Sequence, residues 1–445
     1  MQIILLSGGS GKRLWPLSND VRSKQFIKMF HGEGGELESM VQRVYRQIKK
    51  AAPAADITIA TSKKQASAIH NQLGDKVAVC VEPTRRDTFP AIALASMYLR
   101  DEKNISEDET VIVCPVDPYV DNSYFECFNE LADMVQTGTY NLNLMGVEPT
   151  YPSEKYGYII PSSKEHISQV AEFKEKPDLA TAEKYLSQGA LWNCGVFAFK
   201  LGYVLDIAKK TLNINGSAVE DYRMLYKNYG ECNKISFDYA VVEHEDSIGS
   251  VRYNGEWKDI GSWNTFAEEM HEPIIGKAVM DDTCANTNII NELNIPILVM
   301  GVKDMIIAAS NDGILVSDKH QSSYIKPYAE QMEQQVMYAE KSWGSFTVLD
   351  VLPESMIIKV VLLPDHQLHY HSHQHRDEVW TIVSGRGTVI IDGKRQDVSD
   401  GDVVRLPAGC KHTVIAKTRL VINETQIGVE ISVDDKEKFD MPEFE

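Results

Sequence analysis

Cysteine is scarce and unpaired in this 445-residue chain: seven stand singly, at positions 80, 114, 127, 194, 232, 284 and 410. None forms a CxxC, and an odd total fits no disulfide framework, which excludes a disulfide-stapled secreted scaffold. Cys80 and Cys114 fall in the apolar runs VAVCV and VIVCP, where thiols are expected to be buried and inert. Basic charge is also in deficit. Against 64 Asp and Glu stand 45 Lys and Arg, a net −19, which argues against nucleic acid or an anionic membrane as partner. A nucleotide ligand stays open, because local cations can sit in an acidic protein. No apolar run approaches the ~18 residues of a membrane span, and no basic region precedes an apolar stretch at the N-terminus. A cytoplasmic protein is expected. Long repeats and low-complexity segments are lacking as well.

What is present suffices for a sizeable core: 43% of the residues are hydrophobic, and at about 150 residues per domain the length predicts two or three domains. The first 120 positions alternate strand-like and helix-like segments. Leu37, Val41, Val44 and Ile48 recur at helical spacing, with Lys49 and Lys50 suited to the helix C-terminus. ITIA, VAVCV, the helix-length AIALASMYL and VIVCP follow. This alternation predicts an α/β, Rossmann-like domain with a parallel sheet, whose ligand sits beyond the carboxyl ends of the strands. From about Pro273 the texture changes to short β-type stretches, PILVMGV, MIIAAS and GILVSD, expected to form a small β-rich middle segment. Tyr328, Met332 and Val336, spaced four apart, read as a connector helix. After Trp343 short β patterns dominate, and Asp392-Gly393 between GTVII and KRQDV is a hairpin signal. The expected domains are therefore 1–270, 271–335 and 336–445, the last a small antiparallel barrel or sandwich.

The first apolar run, Ile3 to Leu6, opens through Ser7 into GGSGKRLWPLSNDVRSKQF from Gly8. Glycines after a strand let backbone N–H groups approach a polyphosphate, because no Cβ stands in the way. Leu6, Ser7, Gly8, Gly9, Gly11 and Lys12 are thus candidate nucleotide contacts. Lys12, Arg13 and Lys24 supply cations for charge that grows on phosphate in a transition state. The stretch has neither the Walker spacing nor GxGxxG with an acidic residue about 20 positions on. A glycine-rich turn alone is equally an ordinary strand-to-helix connection.

The whole string is more specific. With RLWPLS and KQF it resembles the opening of the sugar-1-phosphate nucleotidylyltransferases, and within them the mannose-1-phosphate guanylyltransferases. The resemblance implies that Asp117 in CPVDPYVD and Asp259 in EWKDIGSW hold Mg²⁺; on residues alone each is also a turn or cap. Pro118 stands where the family has His. AEFKEKPD matches FxEKP, implying Lys176 for the sugar phosphate and Glu175 for sugar hydroxyls. In YGYI, Gly157 would let a sugar approach the backbone, and in WNCG, with Cys for Ser, Asn193 would contact it. ISFDYA resembles SIDYAVME, with Asp238 and Glu243 retained. EPTRRDTFPAIAL resembles EPxxRNTAPAIAL, so Glu82, Asp87 and Thr88 are candidate guanine contacts, although Asp87 replaces Asn.

The C-terminal block carries HQLHYHSHQHRDEVW. Histidines alternating along a strand share a face, so His371, His373 and His375 are expected to converge. His371-x-His373, four residues, Glu378, six residues and Gly385 are followed by Gly401, five residues and Pro407-x-Gly409-x-x-His412. These are the spacings of a cupin β-barrel's paired metal motifs, with His371, His373, Glu378 and His412 as ligands of a divalent transition metal (Zn, Fe, Ni, Mn or Co). The domain order resembles the bifunctional mannose-6-phosphate isomerase/mannose-1-phosphate guanylyltransferases. It implies a β-helix-like middle segment and, against the motif QxHxHRxEHW, retention of His373, His375, Arg376, Glu378 and Trp380. Arg376 would stabilise an enediolate or a phosphate, and His375 and Glu378 are both candidate bases.

The resemblance thus implies GTP and mannose 1-phosphate as substrates of the first domain and mannose 6-phosphate and fructose 6-phosphate as those of the cupin, with a separate mutase between. A homodimer is the implied assembly and polysaccharide biosynthesis the destination. The alternatives are a nucleotidylyltransferase for another hexose or nucleotide with a non-catalytic cupin, for which His371 in place of the motif's Gln and Val379 in place of the His before its Trp speak, and a nucleotide-sugar sensor, disfavoured by Arg13, Lys24, Asp117, Lys176 and Asp259.

Overall fold

The computed structural model describes the chain except residues 10, 20, 215, 333–334, 430, 433–434 and 443–445. Ser10 of the glycine-rich stretch and part of the expected connector therefore lie outside the described residues. Two compact units emerge. One comprises Met1–Ser10, Lys24–Ala66 and Lys76–Met270, the other Gly11–Ser23, Ser67–Asp75 and His271–Glu445.

In the first unit Ile3, Ile4 and Leu5 are fully buried in a strand, Gln2–Ser7, flanked in parallel by Asp56–Ser62 and Thr110–Pro115. Ala78–Glu82 extends the parallel run beyond Asp56–Ser62. The sheet continues to nine strands through Leu191–Lys200, Leu142–Val147, Ile248–Tyr253, Ile167–Lys174 and Tyr158–Pro161. That second half is mixed, not parallel: Leu191–Lys200 runs antiparallel to both neighbours. Tyr158–Pro161 returns directly into Ile167–Lys174. A parallel pairing would need a crossover of a dozen or more residues, which this connection cannot supply.

The first helix spans Met40–Ala51 and starts where Ser39 and Gln42 form a capping box. Leu37 lies outside it, in a two-residue strand and 37% exposed, so of that set Val41, Val44 and Ile48 join the buried stripe, with Met40 and Gln47. Thr88–Asp101 is a helix buried almost all round, as its apolar run requires.

In the second unit, Ile274–Gly276, Asn288–Asn291 and Met305–Ser310 stack in parallel with Ile274, Ile289 and Ile307 in register. Ala278–Met280 and Ile297–Val299 pair likewise. Parallel rungs a short loop apart, with Ile289, Val299 and Ile307 buried between them, are β-helical. The connector differs from expectation. Among its described residues only Lys326–Ala329 is α-helical; Tyr328 is 67% and Met332 47% exposed, so their spacing marks no buried stripe to stabilise further turns.

From Tyr338 on, a six-stranded and a five-stranded antiparallel sheet enclose a core around Trp380, Ile382, Val389, Val414 and Ile422. Asp392 and Gly393 both take positive φ, 46° and 78°, between paired Ile391 and Lys394, the tight turn the sequence called for. Among the described residues no helix is long and apolar enough to cross a membrane, and all seven cysteines are free thiols.

Candidate functional site

Strand ends place the phosphate chemistry. Gln2–Ser7 ends at Gly8 and Gly9, Gly9 at φ +130°, and a Cβ on either would meet nothing within 4 Å. The loop is pinned from behind. Thr61 Oγ1 donates to the Ser7 carbonyl at 2.8 Å, and the Gly9 carbonyl accepts from Gln65 Nε2 at 3.1 Å and Arg85 Nη2 at 2.6 Å. Leu6 is half-buried and Ser7 buried. Gly11, Lys12 and Arg13 begin a 3₁₀ turn, Gly11–Leu14, that belongs to the other compact unit.

Asp117 follows the strand Thr110–Pro115, and Asp259 is brought beside it because Trp257–Asp259 pairs antiparallel with Pro118–Val120. Lys24 Nζ lies 3.0 Å from Asp117 Oδ2 and 3.7 Å from Asp259 Oδ1. Asp117 Oδ1 is buried and has no protein donor. Two carboxylates sharing one lysine, one with an oxygen lacking a protein partner, are a fitting donor set for hard Mg²⁺.

Both aspartates line a cleft of about 210 Å³ with Tyr156, Gly157, Glu175, Asn193, Asp238 and Trp257. Glu175 is 6% exposed and pairs with Lys176 Nζ at 2.6 Å. Burial lowers the Lys176 pKa, but this partner outweighs it and raises the ammonium above its usual value. Lys176 takes φ +46°, a left-handed backbone rare for a non-glycine residue. Asn193 Nδ2 donates to Asp238 Oδ1 at 2.7 Å. Burial first, then the Glu175 charge, push the Asp238 carboxyl up to about 7.

Gly157 lines the cleft and also makes room within the protein. A Cβ there would sit 2.5 Å from Glu175 Oε2 and 3.0 Å from the Phe173 ring, so the glycine makes room for the Glu175 carboxylate within the protein.

The candidate base readers each have a partner within the protein. Glu82 accepts from Tyr229 OH at 3.0 Å, and burial raises its carboxyl above the usual range. Thr88 Oγ1 accepts from the Phe237 N–H at 2.8 Å. Asp87 is exposed, caps the helix Thr88–Asp101, and holds φ +70° with ψ −177°, a region that costs a non-glycine residue of order 1–3 kcal/mol. Sequence reasoning assigned no role to Arg85, Tyr156, Trp257 or Asp238. The signal for Arg85 was its place in the basic pair directly before Asp87.

In the barrel, His371 and His412 face each other across a strand pair, and the ligand nitrogens of His371, His373 and His412 lie within 4.8 Å of one another, all buried. His412 Nε2 has no hydrogen-bond partner. Burial above all, then the Lys436 charge, push the His371 imidazole down to about 2, keeping it a neutral donor. Glu378 lies 3.1 Å from His373 Nε2 and 3.4 Å from His412 Nε2. It also accepts from Arg376 Nε and Trp380 Nε1, each at 3.1 Å. Burial raises its pKa, but the neighbouring His373 and His412 hold it well below the usual range. Three buried imidazoles beside a carboxylate fit a divalent transition metal.

His375 does not converge with them. The strand ends at Ser372, and the following bend turns His375 outward, 57% exposed, onto Asp435 Oδ1 at 3.1 Å. Sequence reasoning also missed Glu424, buried beside Gln426 and pushed up to about 8 by burial and the Glu378 charge.

A glycine loop at the end of one strand of the mixed sheet and Asp117 beyond the end of another, with Asp259 on the adjoining two-stranded ladder and Lys24 between the two carboxylates, define an enzyme of phosphate-group transfer. Residues 2–273 match the family model described as nucleotidyl transferase, and residues 359–422 match the cupin domain. The first match covers more than half of the chain, and the protein belongs to the nucleotidyl transferase family. The chain is 27% identical to the mannose-1-phosphate guanylyltransferase of Salmonella montevideo over 98% of both chains. It is 28% identical to the xanthan biosynthesis protein XanB of Xanthomonas campestris pv. campestris strain B100, covering 98% of this chain and 97% of that one. Its fold is similar to that of a crystal structure described as mannose-1-phosphate geranyltransferase from Thermus thermophilus. The TM-score is 0.61 at 24% identity, over 75% of this chain and 99% of that one.

Proposed function

We propose that the chain transfers GMP from GTP to mannose 1-phosphate, releasing pyrophosphate and GDP-mannose for polysaccharide synthesis. The observation that carries this is Lys24 bridging Asp117 and Asp259 at the mouth of a cleft lined by Glu175 and Asn193. Full-length similarity to proteins named mannose-1-phosphate guanylyltransferase supports the same reading.

A phosphate oxygen of mannose 1-phosphate attacks the α-phosphorus of GTP, and the bond to the β-phosphate breaks. Lys176 binds the sugar phosphate, and Glu175 and Asn193 accept and donate hydrogen bonds at sugar hydroxyls. Lys24, with Arg13 and Lys12, faces charge growing on the phosphates. Leu6, Ser7, Gly8, Gly9 and Gly11 form the approach for the nucleotide, and Asp87, ahead of Glu82 and Thr88, reads the base. Asp117 and Asp259 would hold Mg²⁺, which when bound neutralises phosphate charge.

In the cupin, His371, His373, His412 and Glu378 would hold a divalent transition metal that polarises substrate oxygens when bound. Their burial supports a second activity, interconversion of mannose 6-phosphate and fructose 6-phosphate, with Arg376 as the cation for an enediolate and Glu378, rather than outward-facing His375, near the site. Seven free thiols suit the cytoplasm. Homodimerisation belongs to the same reading.

A coupled pyrophosphate-release assay across nucleoside triphosphates and hexose 1-phosphates tests the first activity; GTP with mannose 1-phosphate should give the highest kcat/KM. Equal turnover of ATP, CTP, UTP and GTP would reject the guanine assignment. A metal-supplemented assay that forms no mannose 6-phosphate from fructose 6-phosphate would reject the second.

A further inference from the structure

Gly11–Ser23 follows the glycine loop in sequence and carries Lys12 and Arg13, yet it folds with the unit that contains His271–Glu445. Apart from the 3₁₀ turn Gly11–Leu14 its described residues have no regular secondary structure, so contacts must fix its shape. The β-helical segment supplies them. Arg22, 8% exposed, donates Nη1 to Glu292 Oε2 and Nη2 to Glu292 Oε1, both at 2.8 Å. Such a two-pronged pair fixes orientation as well as distance. Asn19 donates Nδ2 to Asp312 Oδ2 at 2.7 Å, while its Oδ1 accepts from the Val21 and Arg22 N–H groups at 2.9 and 2.7 Å. Ser310 Oγ donates to the Pro16 carbonyl at 2.6 Å. Gly313, at φ +147°, is needed against Trp15, because a Cβ there would lie 2.5 Å from the indole ring. One β-turn of the rung stack, Ser310 to Gly313, thus meets the loop at Pro16, Asn19 and Trp15.

These contacts are unlike those of a spacer. They converge on the segment between Lys12 and Lys24, and two of the groups that make them are carboxylates aimed at it. We propose that Glu292 and Asp312 are positioning residues for nucleotidyl transfer: through Arg22 and Asn19 they set the geometry with which Lys12 and Arg13 meet the triphosphate. The proposal rests on the guanylyltransferase reading. It gives the middle segment a part in nucleotide binding, in addition to joining the first domain to the cupin.

The test uses the full-length protein with Glu292→Gln and Asp312→Asn. Both keep size and shape and remove the charge that holds the loop. Each should raise KM for GTP about tenfold or more, and weaken GTP binding by calorimetry in parallel, with KM for mannose 1-phosphate unchanged at saturating GTP. A merely structural role predicts otherwise: less active protein, so a lower apparent kcat with both KM values intact. If E292Q does not fold, D312N alone decides, because it removes one ion from a hydrogen bond and leaves the Arg22 pair whole. Unchanged GTP affinity in a folded variant, or an equal rise in both KM values, would overturn the positioning role. Wild-type protein that neither binds GTP nor releases pyrophosphate would instead overturn the reading of the activity, and the positioning role with it.

Discussion

Asp238 and Glu175 are two carboxylates in one cleft, and only one of them has a cation at hand. Lys176 pairs with Glu175 at 2.6 Å, whereas Asp238 receives the neutral Asn193 amide. Burial and the neighbouring charge therefore leave Asp238 at about 7, against ~3.9 in an unfolded chain. Because the folded value is raised, the folded state holds the proton more tightly. The stability this contributes is present below about pH 4 and is lost as pH rises through about 7. The urea midpoint should accordingly fall between pH 5 and pH 8, and Asp238→Asn should flatten that fall; equal slopes would contradict the assignment. Gly157 offers a second residue-scale check. Gly157→Ala pushes a methyl against Glu175 Oε2, so KM for mannose 1-phosphate should rise about tenfold with KM for GTP unchanged in initial-rate kinetics.

At the scale of elements, local patterns were legible where burial and periodicity coincide. The strands at Gln2–Ser7, Asp56–Ser62 and Thr110–Pro115, the helix Thr88–Asp101 and the Asp392-Gly393 turn all sit where apolar runs or turn residues placed them. Departures arise where a tertiary contact decides. Leu37 has the spacing of its helix, but the Ser39–Gln42 capping box starts the helix after it. Ser39→Ala should cost about 1 kcal/mol, read as a shift in the chemical-denaturation midpoint. Tyr328 and Met332 have helical spacing without a surface to bury them. His375 continues the alternation of His371 and His373, but the strand ends first, and Asp435, distant in sequence, captures the ring. The site residues that sequence missed share this cause. Arg85 and Glu424 gain their surroundings from segments far along the chain, and no local pattern encodes that.

At the scale of the whole molecule, the chain joins two chemistries built from different materials. One unit sets two carboxylates about a lysine beside its mixed sheet, and a barrel in the other encloses three imidazoles. Their residues fall in different compact units, so they should be separable by substitution. His412→Ala should abolish retention of a stoichiometric transition metal, measured by elemental analysis of the dialysed protein, while pyrophosphate release stays within about twofold of wild type. Loss of both together would show that the barrel supports the first activity. That a nucleotidyl transferase domain is followed by a cupin was readable in advance from the resemblance over nearly the whole sequence. The membership of Gly11–Ser23 in the second unit was not, because it rests on Arg22–Glu292 and Asn19–Asp312, pairs some 270 and 293 positions apart. The most direct test of the central claim is phosphorus NMR of the purified protein with GTP, mannose 1-phosphate and Mg²⁺. The account predicts that GTP and sugar phosphate resonances give way to equal amounts of GDP-mannose and pyrophosphate, and that Asp117→Asn slows this about a hundredfold or more. Persistence of GTP, or its hydrolysis without a sugar-linked diphosphate, would contradict it.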